Sequence, residues 1–354
     1  MGKIALLGDI AFNGIVSSEP EKNEKRYNKI CLKLHTLDLV IANFEIPVSS
    51  EERNEYKDFF QITDYNVTKY LLTKFNIKCL SLANNHIYDF KMSGLQKTIN
   101  LLDELGIKHT GAGWKREHIE PVYVKNSGIK YGFIAYVDHK TNPDCEHFPE
   151  LLINYFNIEK VKKDITDLKL KTDKIILSLH WGNDYSFYPT KEQILLSHEL
   201  IDTGVNIIMG HHPHTIQPYE IYNNGYIFYS LGSLTFGDFI WQGKLRALKR
   251  KTKKTFVPIF DERKLLPNFI TTKELKGNII EITSMNIQKW STRKLKIAFL
   301  SQCSIFIRLF IKLNESIIDH FVEFFFGYYR NPLINIFSLN NLKKLRFILR
   351  DLKK

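Results

Sequence analysis

Five stretches of this chain end an apolar run in side chains that can hold a cation or move a proton. Residues 3–7 run into Gly8-Asp9, and 38–42 into Asn43-Phe44-Glu45. Residues 77–82 run into Ala83-Asn84-Asn85-His86, with Asp89 three residues on. Residues 173–179 run into His180-Trp181-Gly182, and 205–209 into Gly210-His211-His212-Pro213-His214. Carboxylate, carboxamide and neutral imidazole together suit a borderline divalent ion such as Mn, Fe or Zn. An acid-only set would point to Mg instead. Singly, most of these stretches have bland readings: Gly-Asp as a turn, Asn85-His86 as a cap, His180-Trp181 as a packed imidazole beside an aromatic. Three histidines in four residues after a strand have few structural uses and carry the strongest single signal.

Those residues act together only if the apolar runs are neighbouring strands. Between the runs lie helical stretches at 93–105 and 190–203. In the first, Leu95, Ile99, Leu101, Leu102 and Leu105 share a broad face and Gly106 follows as a stop. In the second, Thr190 can cap the start, Glu192 and Gln193 sit in the first turn, and Gly204 ends it. Strand and helix in alternation predict an α/β fold. Segments 121–137 and 215–230 read as antiparallel hairpins, turning at Asn126-Ser127-Gly128 and Asn223-Asn224-Gly225. In such sheets ligands bind at the carboxyl ends of the strands, so the five stretches converge on one rim.

Composition bounds the rest. The 354 residues are 44% hydrophobic and 25% charged, the balance of a soluble globular protein rather than a disordered or fibrous one. No apolar run reaches the roughly 18–20 residues of a spanning helix, and the short apolar run at the start is expected to fall short of a signal-peptide core. The chain as it stands is expected to stay in the cytoplasm. Cys31, Cys79, Cys145 and Cys303 show no CxxC spacing and read as reduced thiols. Residues 241–354 hold 24 of the 50 Lys and Arg but only 8 of the 38 Asp and Glu. This break predicts a domain at 1–240 and a basic extension at 241–354, β-rich and then helical. The extension carries no nucleic-acid-binding signature, so no nucleic-acid partner is expected.

The ordered set of motifs resembles the CapA family of poly-gamma-glutamate capsule-synthesis proteins, a branch of the calcineurin-like metallophosphoesterases. The resemblance rests on Gly8-Asp9, Asn43-Phe44-Glu45, Leu82-Ala83-Asn84-Asn85-His86 with Asp89, Gly111-Ala112-Gly113, His180-Trp181-Gly182, residues 210–217 and Ser230-Leu231-Gly232-Ser233-Leu234, over about residues 3–238. It implies a four-layer α/β/β/α sandwich with one or two divalent ions on one edge. Carried over by motif, Asp9, Glu45, Asn85, His180, His212 and His214 are the expected ligands. His86 follows the metal-binding Asn and is expected to act as general acid, oriented by Asp89. Asn43, Asn84, Trp181 and His211 are left to contact substrate. Two departures stand out: the superfamily's Asp-x-His has Ala11 as its third residue, and its bridging Asp is replaced by Glu45. Losing that imidazole weakens one of the two ion positions.

The resemblance implies a metal-dependent phosphoesterase acting on a phosphate mono- or diester in capsule or exopolymer biosynthesis. The alternative is a non-catalytic accessory or assembly protein that binds an anionic polymer. Either way the partner is a phosphorylated or anionic envelope polymer. The basic extension adds a second expectation. Residues 245–254 hold six cations and no acid, and 305–326 and 342–352 read as amphipathic helices. Such helices pack on the body or lie peripherally on an anionic membrane surface.

Overall fold

The computed structural model describes residues 2–57, 60–142, 144–241, 244–246, 252–261, 267–274 and 280–283. They belong to the first of two compact units, Met1–Leu295; the second, Lys296–Lys354, lies outside the described residues. So do Cys303 and the helices expected at 305–326 and 342–352.

Two sheets form the body. The first, eight-stranded, centres on Lys3–Ile10, flanked by the parallel strands Leu39–Phe44, Cys79–Ser81 and Lys108–Thr110. Ser233–Thr235 also joins the first strand in parallel, with Asp9 opposite Ser233. The second sheet has six strands, with Ile129–Val137, Lys174–His180, Ile207–His211 and Gly225–Phe228 running parallel. Both expected hairpins close its ends in antiparallel register, through Val122–Asn126 and Tyr219–Tyr222.

The alternation of side chains along each strand sets the layers. Ala5, Leu7, Val40 and Ala42 join a core shared with Ile30, Leu71, Leu95 and Leu102 of the helices Asn23–Leu34, Tyr65–Lys74 and Lys91–Glu104. Ile4, Leu6, Leu39 and Ile41 face the other way, onto Phe133, Ile176, Met209 and Phe228 of the second sheet. Ile175, Leu177 and Leu179 point outward to Val161, Ile165, Ile194 and Leu200 of the helices Ile158–Lys169 and Lys191–Thr203. Helix, sheet, sheet, helix is the order the resemblance implied.

The composition break at 240 does not end this sheet. Lys254–Asp261 pairs antiparallel with the first strand, and Asn268–Glu274 and Ile280–Thr283 follow outward. Phe256 and Val257 are fully buried, so the basic flanks disguise a strand that belongs to the body. Among the described residues no helix is long and apolar enough to cross a membrane.

Candidate metal centre

The first sheet delivers Asp9 and Glu45. Asp9 is fully buried near the end of its strand. Asn43 Nδ2 donates to Asp9 Oδ1 at 2.9 Å, and His211 Nδ1 lies 3.0 Å from the same oxygen. The first strand reaches this position because Gly8 has no side chain: a Cβ there would stand 1.9 Å from the Gly232 carbonyl oxygen. Glu45 lies one residue past the second strand, and its amide is held by the Ile10 carbonyl.

The second sheet delivers the imidazoles. His180 and His211 end adjacent strands in direct register. His212 and His214, at φ 89° and 55°, both adopt left-handed backbone around Pro213. Such conformations cost about 1–3 kcal/mol each and cluster at functional sites. They bring the His212 ring to 4.9 Å from that of His180 and 6.2 Å from that of His214.

Asp9, Glu45 and His214 offer ligand atoms that all lie within 4.8 Å of one another. His214 Nδ1 is 3.3 Å from Asp9 Oδ2, and its Nε2 is 3.4 Å from Glu45 Oε1. Beside them, His180 Nε2 lies 2.9 Å from Asn85 Oδ1, and its Nδ1 is 3.5 Å from Asn43 Nδ2. All six expected ligands therefore occupy one rim.

The electrostatics call for positive charge there. Glu45 is fully buried and neither of its oxygens has a hydrogen-bond partner; burial pushes its pKa well above the carboxylate range. Burial works against Asp9 too, but His211 and His214 hold its carboxyl well below its usual value. Burial works to lower His214, yet Glu45 and Asp9 lift it to about 9. His212 is pushed down to about 4, and His180 well below the usual imidazole range, both chiefly by burial. Carboxylates wanting a cation beside the neutral imidazoles of His180 and His212 form a donor set that fits a divalent ion, which would take the place of the proton on His214. His212 Nδ1 and His211 Nε2 are also buried without a partner.

Next to the rim, His86 Nδ1 meets Asp89 Oδ2 at 2.8 Å. Asp89 is fully buried, and Lys57 Nζ takes its other oxygen at 2.5 Å. Burial works against that carboxylate, but His86 and Lys57 hold it below its usual value. Lys57 also donates to the Asn85 carbonyl.

Four substrate-contact expectations look different in place. Asn84 spends its amide on the chain, donating to the Phe44 carbonyl at 2.9 Å and accepting the His86 N–H at 3.0 Å. Asn43 and His211 are fully buried behind Asp9 and position it. Trp181 is a core ring, 4% exposed, whose Nε1 donates to the Tyr229 carbonyl. The reason is common to all four: strand alternation and loop hydrogen bonds, set by distant partners, decide where a polar side chain points.

Ser233 and Lys57 carry no assignment from sequence, whereas Asp184, after His180-Trp181-Gly182, reads there as solvated or facing substrate. Ser233 Oγ lies 3.0 Å from His214 Nδ1, although its motif was visible. Asp184 Oδ1 stands 3.6 Å from His212 Nε2. Lys57 has no local signal at all. Ala11 packs with Ile46 and Phe236, so a small apolar cluster stands where Asp-x-His would bring another imidazole.

The sequence model described as "Bacterial capsule synthesis protein PGA_cap" matches residues 3–238. The chain belongs to this family. The match spans every residue of the rim. Among curated members of this kind, the capsule biosynthesis protein CapA of Bacillus anthracis is 30% identical over 220 residues, 57% of this chain and 51% of that protein. The PGA biosynthesis protein CapA of Bacillus subtilis is 27% identical over 283 residues, 74% of this chain and 72% of that one. A probable polyglutamine synthesis accessory protein of Mycobacterium tuberculosis is 25% identical, covering 56% of this chain and 55% of its own length. The chain thus spans only about half of two of these relatives. A solved structure described as a novel phosphatase, from Mycoplasma pneumoniae, aligns at TM-score 0.48 and 14% identity, over 80% of this chain and 94% of that one.

Proposed function

We propose that this PGA_cap member is a metal-dependent phosphoesterase of capsule or exopolymer synthesis. The observation that carries the reading is Glu45: a fully buried carboxylate without a hydrogen-bond partner, within ligand distance of Asp9 and His214. Asp9, Glu45, His214, Asn85, His180 and His212 would hold one or two divalent ions of the Mn, Fe or Zn type. A bound ion supplies Lewis acidity toward phosphoryl oxygens and a water acidified toward neutrality. The chain's own residues do the rest. Asn43 and His211 fix the Asp9 carboxylate. Asp89 holds His86 through Nδ1, which leaves Nε2 to give a proton to the leaving oxygen. Lys57 keeps Asp89 ionised for that task.

The test is hydrolysis of bis-p-nitrophenyl phosphate and p-nitrophenyl phosphate by full-length protein, with Mn, Fe or Zn and with chelator. Metal-dependent release that His86→Ala abolishes supports the reading. No release from either ester with any ion counts against it.

A second reading has its own support: the M. tuberculosis relatives are described as accessory proteins, and Ala11 removes a superfamily imidazole. In it the ion clamps an anionic envelope polymer without turnover. Ion-dependent binding of that polymer with no ester hydrolysis would favour it.

A further inference from the structure

The helix Lys191–Thr203 opens with a capping box: Thr190 Oγ1 accepts the Gln193 N–H at 3.1 Å, and Gln193 Oε1 accepts the Thr190 N–H at 2.9 Å. The second bond fixes the amide, because only its oxygen can accept an N–H. Gln193 Nε2 is therefore held away from Thr190, buried and without a hydrogen-bond partner, on a residue only 6% exposed. An unpaired buried donor costs about 1–3 kcal/mol. Gly182, at φ 86°, leaves the space beside it: a Cβ there would stand 2.9 Å from Nε2.

Gln193 lines a cavity of 320 Å³, within the size range of small-molecule sites. The cavity lies at the carboxyl end of the Lys174–His180 strand, on its helix-covered face, where Leu179 and Trp181 join the outer core. The His180 imidazole meets Asn43, Asn85 and His212 instead. His180 also lines the cavity, so cavity and metal centre adjoin at one strand end.

Two kinds of surface line it. Phe156 brings a partly exposed aromatic face, with the Tyr136 and Trp181 rings buried behind the wall. Asp138 and Glu192 bring carboxylates, and Lys140 an ammonium 3.5 Å from Glu192. Two carboxylates against one ammonium disfavour an anion. The matching ligand offers an acceptor to Gln193 Nε2, hydroxyl donors to the carboxylates and a C–H face to the Phe156 ring.

We propose that this cavity binds a neutral sugar ring. The site adjoins the metal centre at His180, takes its sugar contacts from other residues, and does not rest on the phosphoesterase reading.

Saturation-transfer NMR and calorimetry on the full chain test it, with glucose, N-acetylglucosamine and glucuronate as probes. Gln193→Glu keeps the oxygen that closes the capping box and replaces the donor with an acceptor; Asp138→Asn removes a carboxylate. A neutral sugar is expected to bind, about tenfold weaker in either variant, with glucuronate weaker than both neutral sugars. The Mn-induced rise in melting temperature stays the same in wild type and variants. No transfer to any probe, equal affinity in Gln193→Glu, or a preference for glucuronate overturns the proposal. So does loss of the Mn response in Gln193→Glu, since the two sites would then not be separate.

Discussion

Replacing Glu45 by Gln separates the cost of its buried charge from its value as a ligand. Both carboxylate oxygens are buried without a hydrogen-bond partner, and burial raises the folded pKa above the unfolded value. A carboxyl raised in this way binds a proton more tightly folded than unfolded. Ion-free stability therefore falls as pH rises from about 4.3 through the raised pKa. Gln carries no such charge, so ion-free Glu45→Gln loses this slope. With Mn present the order reverses. An ion at about a hundred times its Kd adds about 2.7 kcal/mol, or about 4 °C in melting temperature for a chain of this size. Loss of a ligand costs at least about a hundredfold in affinity, so the same concentration sits near the variant's Kd and adds about 0.4 kcal/mol. Thermal melts from pH 5 to 8, with Mn and with chelator, read both effects. A Glu45→Gln protein with the wild-type Mn shift, or with the wild-type pH slope in chelator, would refute the reasoning.

Three further outcomes follow from the same geometry. His86→Ala is expected to lose about 10²–10⁴ in turnover of bis-p-nitrophenyl phosphate while keeping the Mn-induced melting shift, whereas His212→Ala loses both; equal loss of the shift removes the general-acid role. Asp89→Ala strips the buried partner from Lys57 and His86 and is expected to cost about 3 kcal/mol in urea unfolding at pH 7. Because the Asp89 pKa is lowered on folding, that penalty is complete above about pH 4 and fades as pH falls through the folded value; a pH-independent penalty contradicts the pairing. Gly8→Ala would press a methyl to 1.9 Å from the Gly232 carbonyl oxygen, and is expected to cost about 1–3 kcal/mol in a thermal melt; a neutral substitution would mean that the first strand does not approach Gly232 so closely.

The buried strands were legible because each apolar run stops at a polar rim, and because local signals such as the Thr190 cap mark where helices begin. The candidate ligands could be grouped only through the order of the motifs; no spacing within the sequence says that Asp9 and His214, 205 positions apart, stand 3.3 Å from each other. What stayed hidden depends on contacts between distant segments. Asn43, Asn84 and His211 look like site residues but are spent on holding Asp9 and the His86 loop. Lys57 sits in a charged loop and gains a role only from the buried Asp89 opposite it. The strand Lys254–Asp261 was masked by the cations around it, although its register against Lys3–Ala5 places it inside the sheet.

The central claim is that Asp9, Glu45, Asn85, His180, His212 and His214 hold a divalent ion. Crystals of the Mn-reconstituted full-length protein, measured on both sides of an absorption edge of the metal, test it most directly. The account predicts an anomalous peak about 2.0–2.2 Å from side-chain donors of Asp9, Glu45 and His214, with the second group either completing that sphere or holding its own ion. A rim with no anomalous peak, or an ion bound only elsewhere on the protein, would contradict it.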